Sequence, residues 1–348
     1  MERDFRSIIV RMPNWVGELI MATPILEDLR TTLPNAEITA MCLSHIAPLL
    51  EHDPAIDKLF HFSKSKKFFR RIEERNIVEK LKKGRYDLGI ILTNSFSSAW
   101  HFWRGNVHNK TGFKTHYRTP FLDIHPSFPK DRAKQHLVTT YKTLLTSLNI
   151  PISQTAPRLI LLEEEIQGAW KFVERFGITK KNKIFGISPG VDYGSARCYF
   201  PKRFREIAQC LIKTHPSYVV LFFGKLSQKD LMGKTCANLP YRVVNLAGQT
   251  SLRELMALIK ICSVFLTNDS GPMHIADSVE TPLVALFGPT NPVVSSPYRQ
   301  SNSIIQKKIA CAPCLKKRCF TDHSCMAKIS VEEIVEALLE KLKESAWY

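Results

Sequence analysis

Residues 266–274, Leu-Thr-Asn-Asp-Ser-Gly-Pro-Met-His, carry the densest set of side chains able to do chemistry. Asp269 and Ser270 are helix-capping types, Gly271 lets a ligand approach the backbone, and Pro272 suits a first turn, so the stretch reads as a strand end followed by a helix start. The N–H groups and dipole at such a start favour a phosphate, with Asp269, Ser270, Gly271, Met273 and His274 as candidate contacts. An ordinary capped helix uses the same residue types, and a single His in a helix is more often simply hydrogen-bonded. A second loop, residues 188–199, also follows a strand-like run and holds Ser188, Gly190, Gly194, Ser195 and Arg197. Its guanidinium can grip an anionic oxygen through paired N–H donors, although a plain glycine turn would look similar. Both loops at one sheet edge would form a shared cradle for a diphosphate.

A third constellation, Asn14-Trp15-Val16-Gly17-Glu18, follows the first strand. Glu18 is placed either to take a proton from a hydroxyl or merely to offset a helix dipole. The fourth is Cys311-x2-Cys314-x4-Cys319-x5-Cys325 with His323 inside it. It has enough ligands for a tetrahedral structural zinc, but its spacing is unlike that of common zinc ribbons, and reduced structural thiols or a disulfide are the alternatives. The aromatic and basic stretch 95–105 suits either core packing or an acceptor surface.

The remaining motifs narrow the field by what they lack. The first strand is followed by Arg-Met-Pro-Asn-Trp-Val-Gly, not G-x-G-x-x-G, which disfavours a nicotinamide enzyme. Residues 228–235 end like a phosphate-binding P-loop but start with Gln228 and do not follow a strand, so the likeness is a coincidence. Neither H-E-x-x-H nor G-x-S-x-G occurs.

The elements that must position these groups alternate, strand-like apolar runs with helix-like stretches, as in a parallel sheet wrapped by helices. One series runs from 7–12 through a helix at about 17–33 to a helix at 134–148. A second begins at 183–188, and a last helix at 331–343 follows Ser330 with Glu333 three residues on, a capping-box pattern. The polar segment 177–183 sets the expected boundary: residues 1–176 and 177–348, each a Rossmann-like α/β domain. The length of 348 residues suits two such cores.

Composition is that of a folded protein, with 44% apolar and 23% charged residues. No apolar run reaches the roughly 18–20 residues of a membrane span, and the N-terminal residues do not make a signal peptide, so a cytoplasmic protein with reduced thiols is expected. The formal charge of +17 attracts anions without choosing among nucleic acid, an anionic membrane and a diphosphate.

Taken in order, residues 11–18 with 21–24, 94–98, 190–199 with Pro201 and Phe204, 268–274, 286–290 and the late cysteines resemble glycosyltransferase family 9, and within it the type II heptosyltransferases of the lipopolysaccharide inner core. The resemblance implies a GT-B fold, two Rossmann-like domains facing across a cleft, with acceptor held by the N-terminal domain and ADP-heptose by the C-terminal one. It implies an inverting transfer to the first core heptose with no cofactor, at the cytoplasmic face of the inner membrane, where the lipid A-core acceptor is embedded. Glu18 would stand at the family's base, Arg197 at its diphosphate lysine, Asp269 at its sugar-contacting aspartate, and Ser270, Gly271 and His274 in its diphosphate loop. Glu18 and Arg197 depart from the usual Asp and Lys, and the family's ribose-binding carboxylate has no clear counterpart near Phe223 and Gly224. The alternatives are another nucleotide-sugar transferase, a non-transferring relative that consumes donor without acceptor, or a basic nucleic-acid-binding protein. The last lacks any RNA- or DNA-binding motif, and no nucleic-acid partner is expected.

Overall fold

The computed structural model describes residues 5–63, 70–191 and 194–345. The basic stretch 64–69 and Asp192 and Tyr193 of the second candidate loop lie outside the described residues. The chain divides into two compact units at Ile160/Leu161.

The first unit is a parallel sheet of β1 (Ser7–Arg11), β2 (Glu37–Leu43), β3 (Lys58–Phe62), β4 (Leu88–Ile91) and β5 (Lys110–Thr111), in the order β3-β2-β1-β4-β5. The second is a parallel sheet of β6 (Lys183–Ser188), β7 (Tyr218–Phe222), β8 (Val243–Asn245), β9 (Val264–Asn268), β10 (Leu283–Phe287) and β11 (Ile304–Gln306), in the order β11-β10-β9-β6-β7-β8. Central strands such as β4 (Leu-Gly-Ile-Ile) and β10 (Leu-Val-Ala-Leu-Phe) are buried along their whole length, which is why they read as continuous apolar runs rather than alternating ones. In both sheets the winding reverses between the unit's first and fourth strands. The carboxyl ends of β1 and β4, and of β6 and β9, therefore open on a topological switch point, where open α/β sheets bind their ligands.

The final helix, Val331–Ser345, closes the second unit. Ile334, Leu338 and Leu342, spaced one turn apart, enter the same core as Phe204, Ile207 and Leu211 of the helix Pro201–Thr214. Ser330 Oγ accepts from Glu333 N at 3.1 Å as the capping pattern requires, while the Glu333 carboxylate turns to Lys307 instead of completing the box.

Two expectations are corrected. The helix expected over 17–33 is two helices, Val16–Met21 and Thr23–Thr32, because Pro24 has no N–H to continue the ladder, and Thr23 Oγ1 instead donates to the Ile20 carbonyl at 2.8 Å. The boundary expected at 176/177 lies earlier, and the helix Glu163–Glu174 belongs to the second unit. It packs against the helix Leu252–Lys260, where the Arg253 guanidinium forks onto both oxygens of Glu165, Nε reaching Oε1 at 2.7 Å. The polar run 177–183 is thus a loop within that unit. Replacing Arg253 with Ala removes a bidentate, mostly buried pair and is expected to cost the second unit about 1–3 kcal/mol in denaturant unfolding. An unchanged midpoint would mean that the helix is held without it.

Candidate active site

In the second unit the switch point is organised by Asn268, the last residue of β9, which is fully buried. Its Oδ1 accepts the N–H of Tyr199 at 3.1 Å and its Nδ2 donates to the Pro189 carbonyl at 2.7 Å. One amide thereby ties both ends of the loop after β6 to the strand that carries the other candidate loop. Directly beyond it, Arg197 Nη1 stands 3.3 Å from Asp269 Oδ2, with the Asp269 side chain 4% exposed and that of Arg197 31%. This is an ion-pair distance; among the described residues Oδ2 has no hydrogen bond. Burial pushes the Asp269 carboxyl above the usual carboxylate range, against the pull of the Arg197 cation and the Thr290 hydroxyl from the loop after β10. Ser270 is the N-cap of the helix Gly271–Ser278 but makes no side-chain cap, its hydroxyl lying 3.2 Å from that of Thr267. Ser188 is buried at the end of β6, and Gly190 faces the amide of Gln228, which a Cβ would strike.

The loop bearing Arg197 is braced from outside by the cysteine-rich segment. Gly194 has φ +85°, and a Cβ there would lie 2.6 Å from the Lys317 carbonyl oxygen. Ala196 N donates to that same carbonyl at 3.1 Å, and His323 Nε2 donates to the Ala196 carbonyl at 2.7 Å. Glycine is required at 194 both for its conformation and for this approach. The four thiols are unpaired, and among the described residues no three His, Cys, Asp or Glu side chains gather in an arrangement that could hold a metal ion. Cys311 is exposed, whereas Cys325 is packed into the core against Met326 and Ile329, where burial pushes its thiol up.

In the first unit, Glu18 sits half-buried in the first turn of the helix Val16–Met21, just beyond β1. The nearby Tyr141, on the helix Leu137–Leu145, is held neutral by burial and by the Glu18 charge, which raise its hydroxyl well above its ordinary value. Two buried arginines shape the loops at this switch point. Arg11, lowered to about 10 by burial, donates to the Met12 carbonyl and, at 2.6 Å, to Asn14 Oδ1, with its guanidinium 4.8 Å from the centre of the Phe62 ring. Arg118, fully buried and likewise lowered to about 10, donates to the carbonyls of Phe113 and Thr93 and to Asn94 Oδ1. Nothing in the sequence marks Arg118, because its role depends on a turn 24 residues from Asn94.

The sequence pattern of glycosyltransferase family 9 (heptosyltransferase) matches residues 75–324. The chain belongs to glycosyltransferase family 9. It is 30% identical over 310 residues to lipooligosaccharide heptosyltransferase 2 of Haemophilus influenzae, covering 86% of this chain and 88% of the relative. The solved ADP-heptose lipopolysaccharide heptosyltransferase II of Escherichia coli superposes with a TM-score of 0.84 at 26% identity, covering 98% of this chain and 99% of that one. A family-9 structure from Veillonella parvula gives 0.86 at 24% identity, covering 99% of both chains. The family and the GT-B fold expected from the motifs are therefore those the chain has.

Within this family-9 fold the expected donor residues divide. Ser188, Gly190, Arg197, Asp269, Ser270, Gly271 and His274 are all brought to the β6–β9 edge. Met273 is the most enclosed of the set: its side chain is wholly buried and its N–H donates to the Ser270 carbonyl at 3.1 Å, so it anchors the start of the helix from the core side. Asn268 was legible only as part of a motif, although Asn at a strand end next to two loops is a residue type able to bridge them.

Two outcomes test this geometry. Asn268→Ala leaves a buried N–H and a buried carbonyl without partners, and denaturant unfolding should show a loss of about 1–3 kcal/mol. Asp269→Asn should act in the opposite direction. Because the folded carboxyl is raised, its contribution is fully present below the unfolded pKa and lost as pH rises through the folded value; near neutral pH the charge is a cost. The neutral variant is expected to melt about 2–4 °C higher near pH 7, with the gain vanishing in acid. A lower melting point at pH 7 would show that the carboxylate stabilises the fold.

Proposed function

We propose that the protein is an inverting heptosyltransferase that moves heptose from ADP-heptose to the first heptose of the lipopolysaccharide inner core. The observation that carries this reading is the Arg197–Asp269 pair, a cation beside a buried carboxylate at the β6–β9 switch point. The choice of sugar and acceptor follows the names borne by the relatives, lipooligosaccharide and lipopolysaccharide heptosyltransferase 2. In this reading Arg197 and the start of the helix Gly271–Ser278 hold the diphosphate, with Ser188, Gly190, Ser270 and His274 around it, and Asp269 contacts the sugar.

The acceptor hydroxyl attacks the anomeric carbon as the carbon–oxygen bond to the diphosphate breaks. The hydroxyl proton goes to the Glu18 carboxylate, and ADP leaves with the bonding pair on its phosphate oxygen, where Arg197 meets the developing charge. No step calls for a metal. Departures from the usual family residues fit together chemically: Glu18 reaches one methylene further than Asp, and Arg197 offers two donors where Lys offers a point charge. In this reading the transfer takes place at the cytoplasmic face of the inner membrane, against a lipid A-core acceptor. No described helix is long and apolar enough to cross a membrane.

Glu18→Gln tests the base. With ADP-heptose and lipopolysaccharide truncated after its first heptose, kcat is expected to fall about 10²–10⁴-fold. Calorimetric binding of ADP should stay as in the parent protein. Transfer at the parental rate would remove Glu18 from the base role, and absence of any adenine-nucleotide binding in the parent would overturn the transferase reading as a whole.

A further inference from the structure

The helix Phe96–Arg104 has two apolar faces, and one of them enters the core of the first unit. Ser98, Ala99 and Phe102 are buried on the inner side, as a helix on a parallel sheet requires. Phe96, Trp100 and Trp103, spaced i, i+4, i+7, form a second stripe that was expected to be core or acceptor surface and is neither buried nor isolated. Phe96 is 45% exposed and Trp103 49%. The rings are stacked in a row, Phe96 to Trp100 at 6.3 Å and Trp100 to Trp103 at 5.0 Å, and Phe121 meets all three rings within 5.5 Å. The stripe is therefore a preorganised slab of aromatic surface facing water.

Its border is cationic. Arg104 lies 6.0 Å from the centre of the Trp100 ring. Gly105, next in the chain, lets the helix Arg70–Gly84 approach so closely that a Cβ at 105 would be 2.5 Å from Leu81 Cβ. That contact brings the end of the basic helix, with exposed Lys82 and Lys83 and then Arg85, to the same corner. The helix Phe96–Arg104 itself contains no acidic residue, the exposed Glu79 of its neighbour is engaged by Arg75 at 3.0 Å, and Asp123, which lines one depression with Trp103 and Arg104, is paired with Lys110 at 2.7 Å. Aromatic rings with a polar edge settle at the headgroup level of a bilayer, and Lys and Arg beside them are drawn to anionic lipid.

We infer that the aromatic stripe Phe96–Trp100–Trp103, with Arg104 and Lys82, Lys83 and Arg85, is the face by which the protein rests on an anionic membrane surface. The inference deepens the transferase reading, whose acceptor is lipid-linked, but its test uses neither donor nor acceptor, so the two fail separately.

The experiment is co-sedimentation of the full chain with phosphatidylcholine vesicles and with vesicles that also contain phosphatidylglycerol. The parent should bind the anionic vesicles and only weakly the neutral ones. Phe96→Ser with Trp103→Ser should weaken binding by about tenfold or more, since both rings leave water on docking. Arg104→Ser should weaken it about fivefold, with the loss shrinking as salt is raised. Phe96 and Trp103 are half exposed and also stack on Trp100 and Phe121, so the double variant should melt lower than the parent while staying folded at the assay temperature, whereas exposed Arg104→Ser should melt as the parent does. Anionic-vesicle binding unchanged in the variants, or absent in the parent, would overturn the assignment. So would light scattering that shows a dimer dissolved by Trp103→Ser, which would make a second copy of the chain the occupant.

Discussion

In each sheet the chain winds away from its first strand in one direction and returns on the other side with its fourth, and that reversal places everything chemical in the protein. Parallel strands all point their carboxyl ends the same way, so the loops after the first and fourth strands must emerge side by side with nothing packed between them. In the second unit this brings Arg197 and Asp269 to within 3.3 Å of each other although 72 residues separate them. In the first it sets the Glu18 turn beside the loop that begins at Leu92, whose N–H is taken by the Arg11 carbonyl.

Such a gap would collapse or wander without fixed polar groups inside it, and the two units meet that need differently. The second uses one neutral amide, Asn268, whose donor and acceptor are both consumed by loop backbone. The first uses two buried guanidiniums, and for both the cost of removing a cation from water appears as a lowered pKa. Arginine suits the task because its fork of N–H donors can satisfy several carbonyl and amide oxygens from one position, which the ammonium of lysine does less specifically. The cysteine-rich segment adds a third device, clasping the turn before Arg197 through Gly194, Ala196 and His323.

The same economy explains the surface. Helices on a parallel sheet need one apolar face, and Ser98, Ala99 and Phe102 supply it. A second aromatic face on so short a helix adds nothing to the core and is costly in water, which is why it invites an explanation outside the fold.

The sequence by itself determined the alternation of strands and helices, the family, and the loops at which ligand chemistry is concentrated, because those are local matters: apolar runs, capping residues, glycines and prolines read within a few positions. Even there it missed the break at Pro24, where a local rule was outweighed by the continuous apolar pattern on either side. Only the tertiary structure decided which residues meet. The helix Glu163–Glu174 joined the second unit through Glu165 and Arg253, 88 residues apart, despite a composition shift that placed the boundary after it. Asn268 and Arg118 became the organisers of their loops, and the Lys317 carbonyl and the His323 ring of the cysteine-rich segment became a brace. Each of these outcomes depends on contacts between distant segments, which no spacing along the chain encodes.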